Sequence, residues 1–302
     1  MSAGRKKTWE RRVLDVLPER LQIAIWAVRR FRWKFGCWPN LIWPRKFNEL
    51  ILLRKIWNRD PRILRLADKL LVKDYVRQKL GDDWVIPTLW SGESFPPRDK
   101  RDWPRPFVVK VNNGYGWNIF VRDEASCNWP EIEAQCAKWM SSAYGLQLGE
   151  WHYARMPSRI MIEPLINFGR GLPVDVKFWV FHGRVEFVHV VTNREYGLKM
   201  AFFDRDWNWL PYEQGYDIET EHVERPACLA ELIRGAETLA AGFSYVRVDL
   251  YEVDGKPLFG ELTFYPGSGL NPINPPEFDR QLVALWRRQR PVQHQQTAIV
   301  TT

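Results

Sequence analysis

The sequence predicts an α+β fold, on three observations. From Trp84 onward it carries short apolar stretches of strand length, several of them joined by tight turns such as His182-Gly183 and Asp254-Gly255. Helix-like segments separate groups of strands rather than alternating with single ones. Those short turns leave no room for the crossovers of a doubly wound parallel sheet.

The front of the chain reads as helical. Residues 8–35 suit one or two helices, and Asn40 to Pro44 forms a loop that ends at a proline. Asn48 is in position to cap a helix from Glu49 to Asn58 with Leu50, Leu53 and Ile56 at helical spacing. Asp60 and Pro61 then open a helix that continues to about Lys79. Residues 1–80 therefore form a helical N-terminal section.

The expected strands are Trp84–Pro87, Phe107–Val111, Ile119–Arg122, Ile160–Ile166, Val174–Phe181 and Val185–Val191, with helices at about Trp129–Ser142 and Leu229–Gly242. The last hairpin begins at Tyr245. In it Val246, Val248 and Leu250 alternate with Arg247, Asp249 and Tyr251, Asp254-Gly255 makes the turn, and Leu258 to Phe264 returns. Asp249 and Glu261 then lie on neighbouring strands. Two carboxylates so held, with Arg247 on the same face, suit a hard divalent cation bridging phosphate oxygens.

With 302 residues and 45% hydrophobic content, the chain can bury a large core and is long enough for two or three lobes. The net charge of +8 favours an anionic partner. Twelve Lys or Arg against three acidic residues fall within residues 1–48. Cys37, Cys127, Cys136 and Cys228 are too scattered for a zinc site or a disulfide framework, which fits a reducing cytoplasm. The apolar run Leu21–Val28 is well short of the roughly 20 residues a membrane span requires, and no signal peptide is evident. Trp26, Arg29, Arg30, Arg32 and Trp33 would suit an amphipathic helix on an anionic membrane, although a basic helix packed on its own domain is the stronger reading.

Lys110 ends an apolar strand and is followed by Asn112-Asn-Gly-Tyr-Gly-Trp-Asn118, where Gly114 and Gly116 let backbone N–H groups approach a phosphate. A plain glycine loop fits this stretch equally well. Asp68, Lys69 and Lys73 would share one helical face, which alone suggests a solvated basic surface. Glu163 sits in an apolar strand that passes into a loop at Gly169 and Gly171, a passage that suits a hinge between lobes.

Taken together, Ala67-Asp-Lys69, Phe107-Val-Val-Lys110, Asn113-Gly-Tyr-Gly-Trp-Asn118, Asp175-Val-Lys-Phe178, Arg247-Val-Asp-Leu-Tyr251 and Phe259-Gly-Glu-Leu-Thr-Phe-Tyr-Pro266 resemble the ATP-grasp superfamily, and its teichuronopeptide-biosynthesis (TupA-like) branch in particular. The resemblance covers about residues 45–280. It implies two α+β lobes gripping ATP: a small lobe with a Gly-rich lid over 81–166, a large lobe with the metal site over 167–285, and a tail over 286–302. It further implies that Lys73 and Lys110 hold ATP phosphates beneath a lid at Asn113, Gly114 and Gly116. The strand from Glu163 through Leu165 to Ile166 would face adenine, Asp175 the ribose and Lys177 an anion. Asp249 and Glu261, with Thr263 where the superfamily often has Asn, would bind magnesium, and Arg247 would stabilise the transferred phosphoryl group. Val176 stands where this branch would have an aromatic residue.

The implied activity is ATP-dependent carboxylate–amine ligation through an acyl phosphate. An amino acid or amine would be joined to an acidic sugar or peptide in cell-surface polysaccharide synthesis, in the cytoplasm or at the inner face of the membrane, with no nucleic-acid partner. A metal-dependent glycosyltransferase is the alternative, because Asp204-Arg-Asp206 matches the Asp-x-Asp pattern, although a hairpin turn is the stronger reading there. A nonenzymatic binder of anionic polymer is a third reading, supported by charge and by 17 Trp residues.

Overall fold

The computed structural model describes residues 16–142, 145, 148–166, 174–192, 199–219 and 223–288. The expected helix before residue 16 and the passage at Gly169 and Gly171 lie outside them. The front section comprises α1 (Glu19–Phe35), α2 (Phe47–Trp57), α3 (Pro61–Leu66) and α4 (Val72–Leu80). As expected, Asp60 caps α3, accepting from the Arg62 N–H at 3.0 Å.

Three local expectations are corrected. Asn48 does not cap α2. The helix starts two residues earlier, the Lys46 N–H donates to Glu49 Oε2 at 3.1 Å, and the Asn48 amide instead donates to the carbonyls of Gly269 and Asn271. The helix expected from Pro61 to Lys79 is broken between Leu66 and Val72. There the Asp68 carboxylate accepts from the N–H groups of Leu70 and Leu71 and competes with the helical ladder. Trp84–Pro87 is no strand: a 3₁₀ turn spans Asp82–Trp84, and the Ile86 carbonyl accepts from Lys73 rather than from a ladder.

The small lobe is an antiparallel sheet of β1 (Trp90–Gly92), β2 (Phe107–Val111), β3 (Asn118–Val121) and β4 (Ile160–Pro164) in the order β1-β4-β2-β3. Helix α5 (Trp129–Met140) covers it, burying Ile132 and Cys136 against Val109 and Ile162. A short helix α6 (Trp151–Arg155) precedes β4.

The large lobe holds β5 (Asp175–Phe181), β6 (Arg184–Thr192), β7 (Lys199–Phe203), β8 (Trp209–Leu210), β9 (Glu213–Gln214) and β10 (Asp217–Ile218). After α7 (Leu229–Leu239) come β11 (Tyr245–Val253), β12 (Lys256–Thr263), β13 (Ile273–Asn274) and α8 (Pro276–Arg287). The main sheet runs β10-β7-β6-β5-β11-β12, with β8 on β7; only the β10–β7 pairing is parallel among those of the described residues. The predicted turns are present: Asp254 and Gly255 both have positive φ, at 51° and 72°, as a two-residue hairpin turn of matching twist requires.

Helix α7 packs on the large sheet through Leu232, Ala236 and Leu239. On the other face Trp179 and Tyr245 pack on Phe47 of α2 at centroid distances of 5.4 and 5.1 Å. Ile51, Ile63, Leu66, Val72 and Val76 join this core, so α2, α3 and α4 close one end of the large sheet. The face that seats Phe47 continues along β5 and β11 to Lys177 and Asp249, where charge replaces aromatic packing.

Candidate active site

Cross-strand register aligns four polar side chains in one row. Glu261 lies opposite Asp249, Asp249 opposite Lys177, and Lys177 opposite His189, so all four side chains stand on the same face of four adjacent strands. The row depends on a bulge. From the turn the pairing runs Leu250 with Phe259, then steps over Gly260 to Asp249 with Glu261. Without the extra residue, Glu261 would point to the opposite face.

Arg247 grips Asp249 with two parallel bonds, Nε to Oδ1 and Nη2 to Oδ2, each 2.7 Å. Lys177 Nζ lies between Asp175 Oδ2 at 2.5 Å and Asp249 Oδ2 at 2.6 Å. Burial alone would raise the Asp249 carboxyl, but Arg247 and Lys177 together hold it well below the carboxylate range. Lys177 is buried too, yet Asp175 and Asp249 raise it above the ordinary lysine value. Thr263 Oγ1 donates to Glu261 Oε1 at 3.0 Å and accepts from Arg247 Nη2 at 3.2 Å.

The small lobe supplies a second charged cluster. Lys73 donates to Glu163 Oε1 at 2.5 Å, to the Ile86 carbonyl at 2.8 Å and to Thr88 Oγ1 at 2.6 Å; Lys110 donates to Glu163 Oε2 at 2.7 Å. The two lysines expected to meet on one nucleotide therefore meet on one carboxylate. Burial opposes the Glu163 charge, but two cations outweigh it and lower the carboxyl pKa, whereas burial of Lys73 outweighs its one carboxylate partner and lowers the ammonium. Glu163, expected to face adenine, has both oxygens engaged by lysine. The Leu165 N–H donates to the Pro106 carbonyl at 3.0 Å.

The Gly-rich loop spans the two clusters. Lys69 Nζ donates to the Gly114 carbonyl, Asn112 donates to Asp68 Oδ2 at 2.8 Å, and Asn113 donates to Ser158 Oγ at 2.6 Å. Gly116 takes φ 69°, a conformation open to glycine. Tyr115, exposed at the tip, lies within electrostatic range of Lys177, Glu261 and Arg247. Lys69 is lowered chiefly by burial, with Glu261 and Glu163 opposing, so one ammonium senses a carboxylate from each lobe.

The sequence assigns no site role to His189, nor to Lys69, which it places only on a basic helical face and in the Ala67-Asp-Lys69 motif. Lys69 reads as part of a solvated face until the helix breaks at Asp68 and turns it inward. His189 is buried, with both ring nitrogens lacking a hydrogen-bond partner. Burial first, then Arg247 and Lys177, push its pKa well below the usual histidine range, which favours the neutral imidazole at this end of the row. Asp204-Arg-Asp206 forms the turn between β7 and β8: Asp204 Oδ1 accepts from the N–H groups of Asp206 and Asn208, and Arg205 pairs with Glu237.

The donor set fits a magnesium-sized cation. Asp249, Glu261 and Thr263 offer only hard oxygen, and the two carboxylates stand directly opposite one another. Three of roughly four lone-pair sites on Asp249 are taken by Arg247 and Lys177, leaving one on Oδ1. Glu261 retains 31% side-chain exposure, so a cation can reach it from solvent. Among the described residues no cluster of three or more His, Cys, Asp or Glu that could hold a metal ion occurs, at this pair or elsewhere.

A model of the TupA-like ATP-grasp family matches residues 49–286. No curated protein matches the chain. Among solved structures, the chain resembles D-alanine–D-alanine ligase from Bacillus anthracis at 17% identity and a TM-score of 0.42, over 66% of this chain and 57% of that one. It also resembles L-amino acid ligase from Bacillus licheniformis at 16% identity and a TM-score of 0.42, over 84% of this chain and 57% of that one. The chain thus spans little more than half the length of either.

Proposed function

From the premise that the chain belongs to the TupA-like ATP-grasp family and has its fold of two α+β lobes, we propose that it is an ATP-dependent carboxylate–amine ligase. The observation that carries the reading is the pair of clusters in which lysine or arginine is held against a buried carboxylate, one around Glu163 and one around Asp249. In this reading the nucleotide lies between them.

Lys73 and Lys110 bind the phosphates as point charges, exchanging part of their attraction to Glu163 for attraction to the nucleotide. Glu163 keeps the two ammonium groups side by side when no phosphate is there. The Asn113–Gly116 loop closes over the phosphates, and the segment from Glu163 to Leu165 borders the adenine. Asp175 takes the ribose hydroxyls. Asp249, Glu261 and Thr263 hold magnesium, which when bound neutralises phosphate charge and orients the γ-phosphoryl group. Lys177 and Arg247, fixed by buried carboxylates, present positive charge where the transferred group becomes most negative.

The γ-phosphoryl group passes from ATP to a substrate carboxylate, giving an acyl phosphate and ADP. The amine then attacks the acyl carbon, phosphate leaves, and the nitrogen loses a proton to give the amide. We assign the carboxylate to an acidic sugar or peptide of a cell-surface polymer, and the reaction to the cytoplasm where ATP is supplied. Both assignments rest on the branch of the family.

Carboxylate-dependent ADP release tests the activity. The protein is incubated with ATP, magnesium and uronic acids or acidic peptides, with and without amines. ADP and phosphate formed only when carboxylate and amine are both present, with ¹⁸O passing from labelled carboxylate to phosphate, is the expected result. Consumption of a sugar nucleotide with no ADP formed contradicts it.

A further inference from the structure

Helices α1 and α2 form a hairpin whose inner faces are sealed by Ala27, Phe31, Leu52 and Ile56. Its tip is chemically unusual. Trp33, Trp38, Ile42 and Trp43 are 85, 62, 96 and 65% exposed, four large apolar side chains within eleven residues. Monomer surfaces scatter such residues singly and rarely gather them.

The charge around the tip is equally one-sided. From Arg20 to Asn48 the chain carries seven Lys or Arg residues and no Asp or Glu. Arg29, Arg32, Lys34, Arg45 and Lys46 are exposed, and the Arg32 guanidinium lies 4.1 Å over the Trp38 ring. Indoles interleaved with cations match the headgroup layer of a bilayer, which offers a polar–apolar boundary and phosphodiester charge in one plane. Trp26, which by sequence suited a membrane-facing helix less well than a packed one, is half-buried. No helix among the described residues is long and apolar enough to cross a membrane, so any such contact is peripheral.

We propose that the α1–α2 tip docks the protein on an anionic phospholipid bilayer, with Trp33, Ile42 and Trp43 entering the interface and the surrounding Arg and Lys residues contacting lipid phosphates. The proposal is independent of the ligase reading. A second copy of this chain would set these cations against one another, whereas an anionic bilayer complements them. Each Lys or Arg near such a surface shifts partitioning about fivefold.

Flotation tests it, using vesicles of phosphatidylcholine alone and of phosphatidylcholine mixed with phosphatidylglycerol. The full chain is expected to float with the anionic vesicles at low salt, to be released by raised salt, and to stay behind with phosphatidylcholine alone. The paired variants Ile42→Ser with Trp43→Ser, and Arg29→Gln with Lys34→Gln, should each lower partitioning at least about tenfold. Trp209→Ser, an exposed indole on β8, should leave it unchanged. A fluorophore on the exposed Cys37 thiol, in a Cys127→Ser background, reports the tip without altering it and serves if the paired variants fail to fold. Its emission should shift to shorter wavelength with anionic vesicles. Sedimentation without vesicle association, flotation insensitive to lipid charge, an unmoved emission in floated protein, or a dimer abolished by the Ile42/Trp43 variant would each overturn the proposal.

Discussion

Glu261 faces Asp249 across β11 and β12 because Gly260 is bulged out of the pairing between them. A side chain at Gly260 has no room: an added Cβ would stand 2.9 Å from the Asp249 carbonyl oxygen and 3.0 Å from a Tyr251 ring carbon. Backbone would have to move, and the residue that moves with it is Glu261. Gly260→Ala should cost about 1–3 kcal/mol of stability and weaken magnesium-dependent ATP binding more than binding of ATP without magnesium. Titration calorimetry with and without the metal checks this; equal loss under both conditions would mean a general packing defect.

Lys73 and Lys110 share Glu163 as their carboxylate acceptor. Lys73→Met or Lys110→Met should therefore weaken ATP by about tenfold or more while leaving adenosine nearly unchanged, since a charge-assisted hydrogen bond contributes about 1.5–3 kcal/mol. Competition of ATP and adenosine for a fluorescent nucleotide separates the two. Parallel loss of both ligands would place the lysines away from the phosphates.

Much of this site was legible in the sequence because its parts are local. The Asp254-Gly255 turn sets the register near Leu250 and Phe259, and the eleven residues between Asp249 and Glu261 give the bulge just enough chain. The motifs from Ala67 to Pro266 also carried the family resemblance that the match over residues 49–286 bears out. What was not legible depends on distant partners. Glu163 as the shared acceptor of Lys73 and Lys110 joins residues 90 and 53 positions apart. The helix break at Asp68 follows from a side chain choosing nearby N–H groups and Asn112 over the helical ladder. His189 lies in a strand whose alternation looks purely structural, and only pairing with β5 places it beside Lys177.

Two buried histidines predict a pH dependence of stability. Burial, then Lys55, Arg54 and Lys69, push His152 down to about 3, and His189 is displaced in the same direction. Both stay neutral in the fold while the unfolded chain takes up protons near pH 6.5. Their contribution is thus fully present above that pH and lost as pH falls toward the folded value. Each adds a slope approaching about 1.4 kcal/mol per pH unit between about pH 6 and pH 5. Urea unfolding across this window should show a shallower dependence for His152→Gln than for the natural sequence. An unchanged slope would mean that His152 is protonated in the fold.

The central claim is that Asp249 and Glu261 hold the metal carried by ATP. Glu261→Gln tests it most directly, because Glu261 is the more exposed of the pair and its loss strands no buried cation. Binding of ATP should be measured by calorimetry with and without magnesium, beside a thermal unfolding curve. Changes to residues around a metal typically cost about 10–100-fold in metal affinity, so loss of a ligand itself should remove at least about tenfold of the magnesium-dependent affinity with Tm preserved. An affinity and magnesium dependence equal to those of the natural sequence, in a folded Glu261→Gln protein, would contradict the account.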